Sequence, residues 1–423
     1  MSQPIVFEFT HLMNRFSDVQ LHTLFKKREV AKQTLKQKRQ NKELGFLDLP
    51  YQTNFLDLKK SAQKIKNSCE TLLVIGIGGS SLGAKAALQA LGTSSKTQII
   101  FLENPNPATL EHTLKNIDLK KTALNVISKS GKTLETLSLF FILFEKLRKA
   151  IPEKELKNRV WITTEEAPTQ LKENFLYQIA QEYSLPVLPI AQNVPGRYSV
   201  LSAVGLLPLL VAGINIEEIL SGAQTIDQNS RDTYLYGTLA YGTHQLLKKP
   251  LTVFFPYDER LSLLSDWFCQ LWAESLAKSE SSGPTPLKAI GALDQHSLLQ
   301  LFLQGPQDKW YTLLTLEDYQ SSLSIPQTKL LKEFSYLANM PLEKVLQAEQ
   351  KATEASLIQF ENPVCRLTLP SLSAYSLGAL FYHFELATAV AGYLYEINPF
   401  DQPAVEQGKL LTRKLLKGES LDF

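Results

Sequence analysis

Short apolar runs that alternate with helical stretches restrict the fold of this chain more than any other feature of its sequence. Five such runs occupy the first half, at residues 72–77, 97–102, 123–128, 159–163 and 185–190. Helical patterns separate them, for example at 81–91 and 132–147. Apolar strands that alternate with helices are typical of a parallel sheet covered on both faces. The pattern therefore predicts an α/β domain.

The same pattern restarts in the second half of the chain. Strand candidates follow at 251–255, 287–292, 310–316 and 365–369, and helical candidates at 261–277, 296–303, 329–351 and 372–394. A length of 423 residues fits two domains of usual size. We therefore expect four parts: a helical N-terminal segment at 1–45, a first domain at 46–215, a second domain at 230–410 and a C-terminal tail at 411–423.

One basic segment stands out in a chain whose formal net charge is only +2. Residues 26–42 contain eight Lys or Arg and a single acidic residue, Glu29. Such a segment fits either a nucleic-acid or anionic-surface patch or a solvated helix face. We favour the solvated face, because the segment has no aromatic side chain to stack on bases and lies beside a weak apolar stripe. We expect no nucleic-acid partner.

The cysteines and the apolar stretches bear on the cellular compartment. Cys69, Cys269 and Cys365 are far apart and odd in number, so we expect no disulfide framework. Residues 1–16 lack the basic start and small-residue cleavage site of a signal peptide. The longest apolar stretch, around 200–213, is shorter than the roughly 20 residues of a membrane span. We expect a cytoplasmic protein with no membrane partner.

The first predicted strand runs into a glycine-rich turn at 76–83, GIGGSSLG, and then into a helix. Glycines let the backbone approach a ligand closely, and the helix start offers free N–H groups to an anion. The main alternative is a dinucleotide-binding turn with Glu103 as its ribose acid, but Ser81 stands where the third glycine would be. A tight turn without a ligand also fits the sequence, so this turn alone does not establish a ligand-binding site.

The third predicted strand ends in a second turn that is rich in hydroxyl groups, at 128–136. Three hydroxyl residues and two lysines lie within six positions: Ser128, Lys129, Ser130, Lys132 and Thr133. Charge-assisted hydrogen bonds contribute about 1.5–3 kcal/mol each, so four or five would hold a phosphate group firmly. A helix cap explains any one of these residues but not the cluster. The turn is not a Walker A loop, which would need a glycine at 126.

These two turns together resemble the sugar isomerase (SIS) domain, a module that binds phosphosugars. Four further segments resemble signatures of the glucose-6-phosphate isomerase family: VPGRYS at 194–199, LWAESLAK at 271–278, GALDQHS at 291–297 and INPFDQPAVEQGK at 397–409. The resemblance extends from about residue 70 to 410. It implies two SIS-type (flavodoxin-like) three-layer αβα domains with parallel sheets. It also implies a homodimer that interconverts glucose 6-phosphate and fructose 6-phosphate in glycolysis and gluconeogenesis, with no metal ion or cofactor.

The resemblance also implies roles for individual residues. Aldose–ketose isomerisation needs a carboxylate base against C1 and C2, and positive charge where the enediolate forms. The family's base corresponds to Glu274 and its charge-stabilising arginine to Arg197. Its ring-opening residues correspond to His296, which the partner subunit contributes in the family, and Lys409, with Glu135 orienting the imidazole. Its phosphate-binding positions correspond to Gly79, Ser80, Ser128, Lys129, Ser130 and Thr133.

Departures from the family pattern leave alternatives open. Pro195, Ala277 and Ala404 stand where glycine is usual, and Pro195 matters most because it has a fixed φ and no N–H.

An isomerase that also accepts mannose 6-phosphate differs only in the stereochemistry it tolerates at C2. A non-catalytic phosphosugar sensor would have lost the catalytic side chains, but the predicted base, arginine, histidine and lysine are all present. A dinucleotide-dependent oxidoreductase is the third alternative.

Overall fold

The computed structural model describes residues 3–165 and 174–421. Its strands, in chain order, are β1 (Val6–Glu8), β2 (Thr71–Ile75), β3 (Gln98–Leu102), β4 (Thr122–Ile127), β5 (Val160–Glu165), β6 (Val187–Ile190), β7 (Leu251–Pro256), β8 (Thr285–Lys288), β9 (Lys309–Asp318) and β10 (Val364–Ser371). Its α-helices are α1 (Thr10–Met13), α2 (Asp18–Gln40), α3 (Leu56–Ser68), α4 (Leu82–Leu91), α5 (Pro107–Lys115), α6 (Leu134–Ala150), α7 (Phe175–Glu182), α8 (Ala203–Ala212), α9 (Ile216–Gln228), α10 (Arg231–Gln245), α11 (Ser262–Leu276), α12 (Leu299–Gln304), α13 (Leu342–Gln359), α14 (Ala374–Leu394) and α15 (Ala404–Leu416).

The first sheet has five parallel strands in the order β3–β2–β4–β5–β6. Its central strands β2 and β4 are buried along their whole length, and Leu73 of β2 lies between Ile100 of β3 and Leu124 of β4. Apolar side chains point to both faces because helices cover both faces. The chain reverses its direction of strand addition between β2 and β4, and ligands of such sheets bind beyond the carboxyl ends at this point.

The second sheet has the order β1–β10–β9–β7–β8, in which the last four strands are parallel. Two such parallel sheets, with helices packed on them, confirm the predicted α/β fold class. β1 corrects the prediction that residues 1–45 are helical. It pairs antiparallel with β10, with Val6 opposite Thr368, ahead of α1 and α2. Three residues are too few to show the period of two that predicts a strand, so only the pairing with β10 reveals it.

α14 lies at the centre of the helical packing. Almost all of its 21 residues are buried, and it contacts α9, α10 and α11. A helix that is apolar all round fits a position enclosed by other elements. α11 packs in turn against α4, which follows the first sheet's central strand. The α4–α11 contact therefore brings the helices of the two sheets together, next to the glycine-rich turn.

Several predicted elements of the second half have different bounds in the structure. The strand predicted at 287–292 lies earlier in the chain, as β8, Thr285–Lys288, and residues 289–292 are not part of it. The helix predicted at 329–351 divides into a 3₁₀ segment, Lys332–Leu337, and α13, since Pro341 stands at the N-cap of α13. The helix predicted at 296–303 begins later, at Leu299, which leaves His296 in a turn. The tail predicted at 411–423 would begin inside α15, and its boundary stays a prediction. The remaining domain boundaries stay predictions.

No helix of the described residues combines the length and the apolar character that crossing a membrane requires.

Candidate active site

The glycine-rich turn after β2 is in close contact with two other parts of the chain. Gly78 has a φ of +62°, and a Cβ there would lie 2.7 Å from the Nε2 atom of Gln270. A Cβ on Gly79 would lie 2.4 Å from the carbonyl oxygen of Gly196. Glycine is therefore needed at both positions, because the backbone of the turn fits between α11 and the segment that carries Arg197.

The second turn lies beside the first because β2 and β4 are neighbours. The hydroxyl groups of Ser128 and Thr133 are 2.8 Å apart, and Ser130 Oγ accepts a hydrogen bond from the Lys132 amide. Thr133 is the N-cap of α6 but makes no side-chain capping bond. The N–H groups of the first turn of α6 are then available to an anion. The two turns place hydroxyl groups and a helix start at the carboxyl ends of the central strands β2 and β4.

Lys129 has a different environment from the hydroxyl residues around it. Its Nζ atom donates hydrogen bonds to the carbonyl oxygens of Gln192 and Val194, at 2.7 and 2.9 Å. Burial lowers the pKa of its ammonium group. The Lys129 amine thus anchors the segment that leads to Arg197. Pro195 in that segment has a φ of −66°, which is the value its ring imposes, so proline fits this position without strain.

Arg197 is held rigidly by its surroundings. Its side chain is only 2% exposed. Its guanidinium group donates hydrogen bonds to Ser275 Oγ at 2.7 Å, Gln402 Oε1 at 2.9 Å, Pro399 O at 2.6 Å, Asp401 O at 3.0 Å and Glu274 Oε2 at 3.4 Å. Four of these groups are neutral, and the fifth, the Glu274 carboxylate, is the most distant of the five acceptors. A fixed charge of this kind can stabilise negative charge that develops on a ligand.

Glu274 lies in the last turn of α11 and is 36% exposed, so it is open to solvent on one side. Its Oε1 atom accepts a hydrogen bond of 3.2 Å from Gln270, one helical turn earlier. The carboxylate therefore lies between Arg197 and the side chain that contacts the first glycine-rich turn. Ala277, the C-cap of α11, has a φ of −80°, so glycine is not required there. The geometry offers a carboxylate base beside a fixed cation.

His296 lies in a different place from Glu274. It lines a groove of about 590 Å³ together with Asp258, Glu259 and Leu346, and neither Glu274 nor Arg197 lines this groove. The groove lies near the start of α11, whereas Glu274 lies twelve residues further along the helix. At 1.5 Å per residue this separation is about 18 Å. Within one chain, the structure does not bring the predicted histidine to the predicted base.

In the described part of the chain, neither Lys409 nor Glu135 is among the hydrogen-bond or ion-pair partners of Arg197 and Glu274. Lys409 is on α15, which has no buried residue, and its Nζ atom pairs with Glu406 at 2.6 Å. Glu135 lies in the first turn of α6, is partly exposed and does not line the groove around His296. The structure therefore brings together Arg197, Glu274 and the two turns, and leaves the predicted ring-opening residues outside.

Several residues of the site were not predicted. Gln270 is one turn before Glu274, and the i, i+4 rule for helix faces could have identified it. Ser275 and Tyr198 are direct neighbours of predicted residues in the chain, and Tyr198 donates a hydrogen bond to Ser275. Glu103, which was considered as a ribose acid, instead accepts hydrogen bonds from Ser81 and Lys85 at 2.5 Å. Both carboxylate oxygens of Glu103 therefore already accept hydrogen bonds from side chains of the protein.

Comparison with known proteins shows the family to which the chain belongs. A sequence model of the family "Phosphoglucose isomerase" matches residues 59–421. The chain is 38% identical over 394 residues to a probable glucose-6-phosphate isomerase of Haloquadratum walsbyi, which covers 91% of this chain and 89% of that one. It is 37% identical over 384 residues to a glucose-6-phosphate isomerase of Thermus thermophilus, with 89% and 90% covered.

Solved structures show the same fold. A hypothetical protein, TT0462, from Thermus thermophilus superposes with a TM-score of 0.87 at 34% identity, and covers 97% of this chain and 99% of that one. A glucose-6-phosphate isomerase from Chlamydia trachomatis superposes with a TM-score of 0.80 at 22% identity, with 99% and 89% covered. The second similarity is evidence for the fold alone.

Proposed function

The chain belongs to the phosphoglucose isomerase family, and from this premise we propose that it is an enzyme that interconverts glucose 6-phosphate and fructose 6-phosphate. The observation that carries the proposal is the contact of the Glu274 carboxylate with the buried Arg197 guanidinium, beside the glycine-rich turn. Proton transfer through an enediolate needs this pair of groups. The reaction is the aldose–ketose step of glycolysis and gluconeogenesis.

In the proposed reaction, Glu274 moves a proton between C2 and C1 of the open-chain sugar. Gln270 holds one carboxylate oxygen, which limits the positions the base can adopt. Arg197 stabilises the negative charge of the enediolate, since a guanidinium group keeps its proton at any working pH. Base and cation are both side chains of the protein, so this step uses no metal ion or cofactor.

We propose that the 6-phosphate group binds beyond the carboxyl ends of β2 and β4 in the first sheet. The support for this is the cluster of hydroxyl groups at the start of α6, together with the backbone of the first turn. The proposed binding positions are Gly79, Ser80, Ser128, Ser130 and Thr133. Lys129 contributes through the segment it anchors, and its amine adds positive charge behind the phosphate.

We propose that the enzyme is a homodimer whose sites are shared between subunits. The support for this is that, within one chain, His296 lines the groove near the start of α11, whereas Glu274 lies in the last turn of that helix, about 18 Å further along its axis. His296 of the partner subunit then protonates the ring oxygen as the ring opens, with Glu135 orienting its imidazole and Lys409 assisting.

Two surfaces of the chain support this arrangement. α15 has no buried residue, and it carries the exposed apolar residues Val405, Leu410 and Leu415 with an excess of basic ones. The groove around His296 combines apolar residues with four acidic side chains, of which one is paired with Arg260: Asp258, Glu259, Glu343 and Glu349. Opposite charges on two apolar surfaces favour their association in one orientation.

Two finer points belong to the proposal. The three cysteines are free, which fits a reducing compartment, so we propose a cytoplasmic location. Acceptance of mannose 6-phosphate depends on the stereochemistry tolerated at C2, and an assay with that substrate distinguishes a broader isomerase from a specific one.

The experiment that tests the function is conversion of fructose 6-phosphate to glucose 6-phosphate by the purified protein, coupled to glucose-6-phosphate dehydrogenase and measured with EDTA present. Rapid turnover that EDTA leaves unchanged would support the proposal. Binding of the substrate without turnover would favour the sensor alternative. Turnover that disappears with EDTA would contradict a mechanism based on side chains alone.

A further inference from the structure

A carboxylate that the proposed reaction does not use lies beside the glycine-rich turn. Glu103 directly follows β3, and its Oε1 atom accepts a hydrogen bond from Ser81 Oγ at 2.5 Å. Its Oε2 atom pairs with Lys85 Nζ, also at 2.5 Å, and both side chains of this ion pair are only 24% exposed. Hydrogen bonds to a charged group are stronger than those between neutral groups. Glu103 therefore ties the end of β3 to the turn and to the start of α4.

Ser81 lies at the N-cap of α4 but does not cap it. A serine at this position usually accepts a hydrogen bond from an N–H group of the first helical turn. Here the Ser81 side chain makes no capping bond, and its hydroxyl group donates to Glu103 instead. The residue is 1% exposed, so little water competes for that proton. Glu103 therefore sets the direction of the Ser81 hydroxyl group, and Ser81 leaves the first N–H groups of α4 without a side-chain cap.

The position of Ser81 in turn fixes a peptide plane of the glycine-rich turn. The Ser81 N–H group donates a hydrogen bond of 3.0 Å to Gly78 O, and its hydroxyl oxygen lies 3.2 Å from the same atom. In a trans peptide such as Gly78–Gly79, the N–H group points away from the preceding carbonyl oxygen. The Gly79 N–H group has no hydrogen-bond partner among the described residues. It is therefore held pointing away from Ser81 and is available to a ligand.

The charge of Glu103 by itself would oppose the binding of a phosphate group. Two like charges repel each other, and a partly buried position weakens the screening by water. Lys85 offsets this repulsion, because its ammonium group contacts the carboxylate directly. The ion pair as a whole is close to neutral, so it can hold the turn in place without repelling an anion.

We propose that Glu103 is a positioning residue for the phosphate group of the substrate: through Ser81 it holds the Gly79 amide and the start of α4 in the orientation that binds the phosphate. Glu103 itself does not touch the substrate. This inference rests on the proposed isomerase function and on the proposed phosphate site. A contact that only fastened β3 to α4 would affect the stability of the protein, whereas a positioning residue affects its affinity for phosphate.

The test measures KM and kcat of the isomerase reaction for variants of the Glu103–Ser81 contact. We expect Glu103→Leu to raise KM for fructose 6-phosphate about ten-fold with kcat changed less than about three-fold, since phosphate contacts act equally on the ground state and the transition state. Glu103→Gln keeps an acceptor for the Ser81 hydroxyl group and should restore most of the affinity. Glu70→Gln is the matched control and should leave KM unchanged, because its carboxylate pairs with Lys121 at the opposite end of the same sheet.

Ser81→Ala removes the other partner of the contact and should raise KM to a similar extent. If Glu103 acts through Ser81, Glu103→Leu should raise KM no further once Ser81 is already alanine, because the contact is then absent in both proteins. Inhibition by inorganic phosphate gives a second readout, and its inhibition constant should rise in parallel with KM. If Glu103→Leu does not fold, Ser81→Ala tests the same contact.

Calorimetric titration with inorganic phosphate tests the positioning role without turnover. Glu103→Leu should bind phosphate about ten-fold more weakly than the wild type. An unchanged KM in Glu103→Leu or in Ser81→Ala, or independent effects of the two substitutions, would overturn the positioning role. An inactive wild type would refute the proposed function, whereas equal phosphate binding by the wild type and Glu103→Leu would refute the positioning role alone.

Discussion

Arg197 Nη1 lies 3.4 Å from Glu274 Oε2, and the two residues come from opposite halves of the chain. Arg197 follows the last strand of the first sheet, and Glu274 ends a helix that follows a strand of the second sheet. The arginine side chain is buried whereas the glutamate is partly open to solvent. The pair therefore forms only when the two sheets are packed together, and it leaves the carboxylate accessible to a ligand.

Glu274→Gln should abolish isomerisation, because an amide of the same shape cannot accept the proton from C2. Loss of a general base typically lowers kcat about 10²–10⁴-fold. Binding of the substrate, measured by isothermal titration, should change little, since the phosphate contacts lie in the two turns of the first sheet. Glu280→Gln, at an exposed position just after α11, is the matched control and should keep full activity. Full activity of the Glu274 variant would refute its role as the base.

A mixture of two inactive variants tests whether the sites are shared. In a heterodimer of Glu274→Gln and His296→Ala, one of the two sites combines an intact Glu274 with an intact His296 of the other subunit. Random mixing of subunits should then restore about a quarter of wild-type activity. A mixture of Glu274→Gln and Arg197→Ala is the control and should restore none, because both residues belong to the same chain's half of the site. If tagged heterodimers form but the first mixture stays inactive, the sharing of sites is wrong.

Gly131→Ala should destabilise the protein and disturb the proposed phosphate site. Gly131 has a φ of +64°, and a Cβ there would lie 1.9 Å from Asn174 Oδ1. That oxygen caps α7 by accepting a hydrogen bond from Tyr177. Strain, a clash and a weakened cap together should lower the free energy of unfolding by about 3 kcal/mol, measured with urea.

Gly418→Ala is the control for that experiment. Gly418 has a φ of +78°, and a Cβ there would have no atom within 4 Å. It therefore reports the cost of the left-handed backbone alone, about 1 kcal/mol or less. Equal losses of stability in the two variants would show that the contact with Asn174 contributes nothing.

His383 should make the stability depend on pH below neutrality. Burial lowers its pKa from 6.5 to about 3. Between these values the unfolded chain binds a proton that the folded protein does not, so stability falls as the pH falls, by about 1.4 kcal/mol per pH unit. The difference in unfolding free energy between wild type and His383→Leu should therefore shrink by about 2 kcal/mol from pH 7 to pH 5. Phe384→Leu, a neighbouring residue that does not titrate, should show the same difference at both pH values.

The sequence by itself determined the local elements and their chemistry. The apolar runs identified the central strands β2 and β4, because a strand buried on both faces must be apolar throughout. The glycine and hydroxyl patterns identified the two turns at 76–83 and 128–136, since close backbone approach and anion binding need those residue types locally. The signatures around Arg197 and Glu274 identified residues that the structure brings into contact. For elements of this kind, neighbours in the sequence carry the information.

The tertiary structure decided which of these elements meet. It pairs the three residues of β1 with β10, a partner more than 350 positions away, which no local period indicates. It separates His296 from Glu274 although they are only 22 positions apart in the chain, because His296 lies with the residues that precede α11 and Glu274 lies in the last turn of that helix. It also encloses Glu385 among apolar helices, where its carboxyl oxygens have no hydrogen-bond partner in the described part of the chain. Burial, contact and separation depend on how the helices pack on the two sheets, and packing involves residues far apart in the sequence.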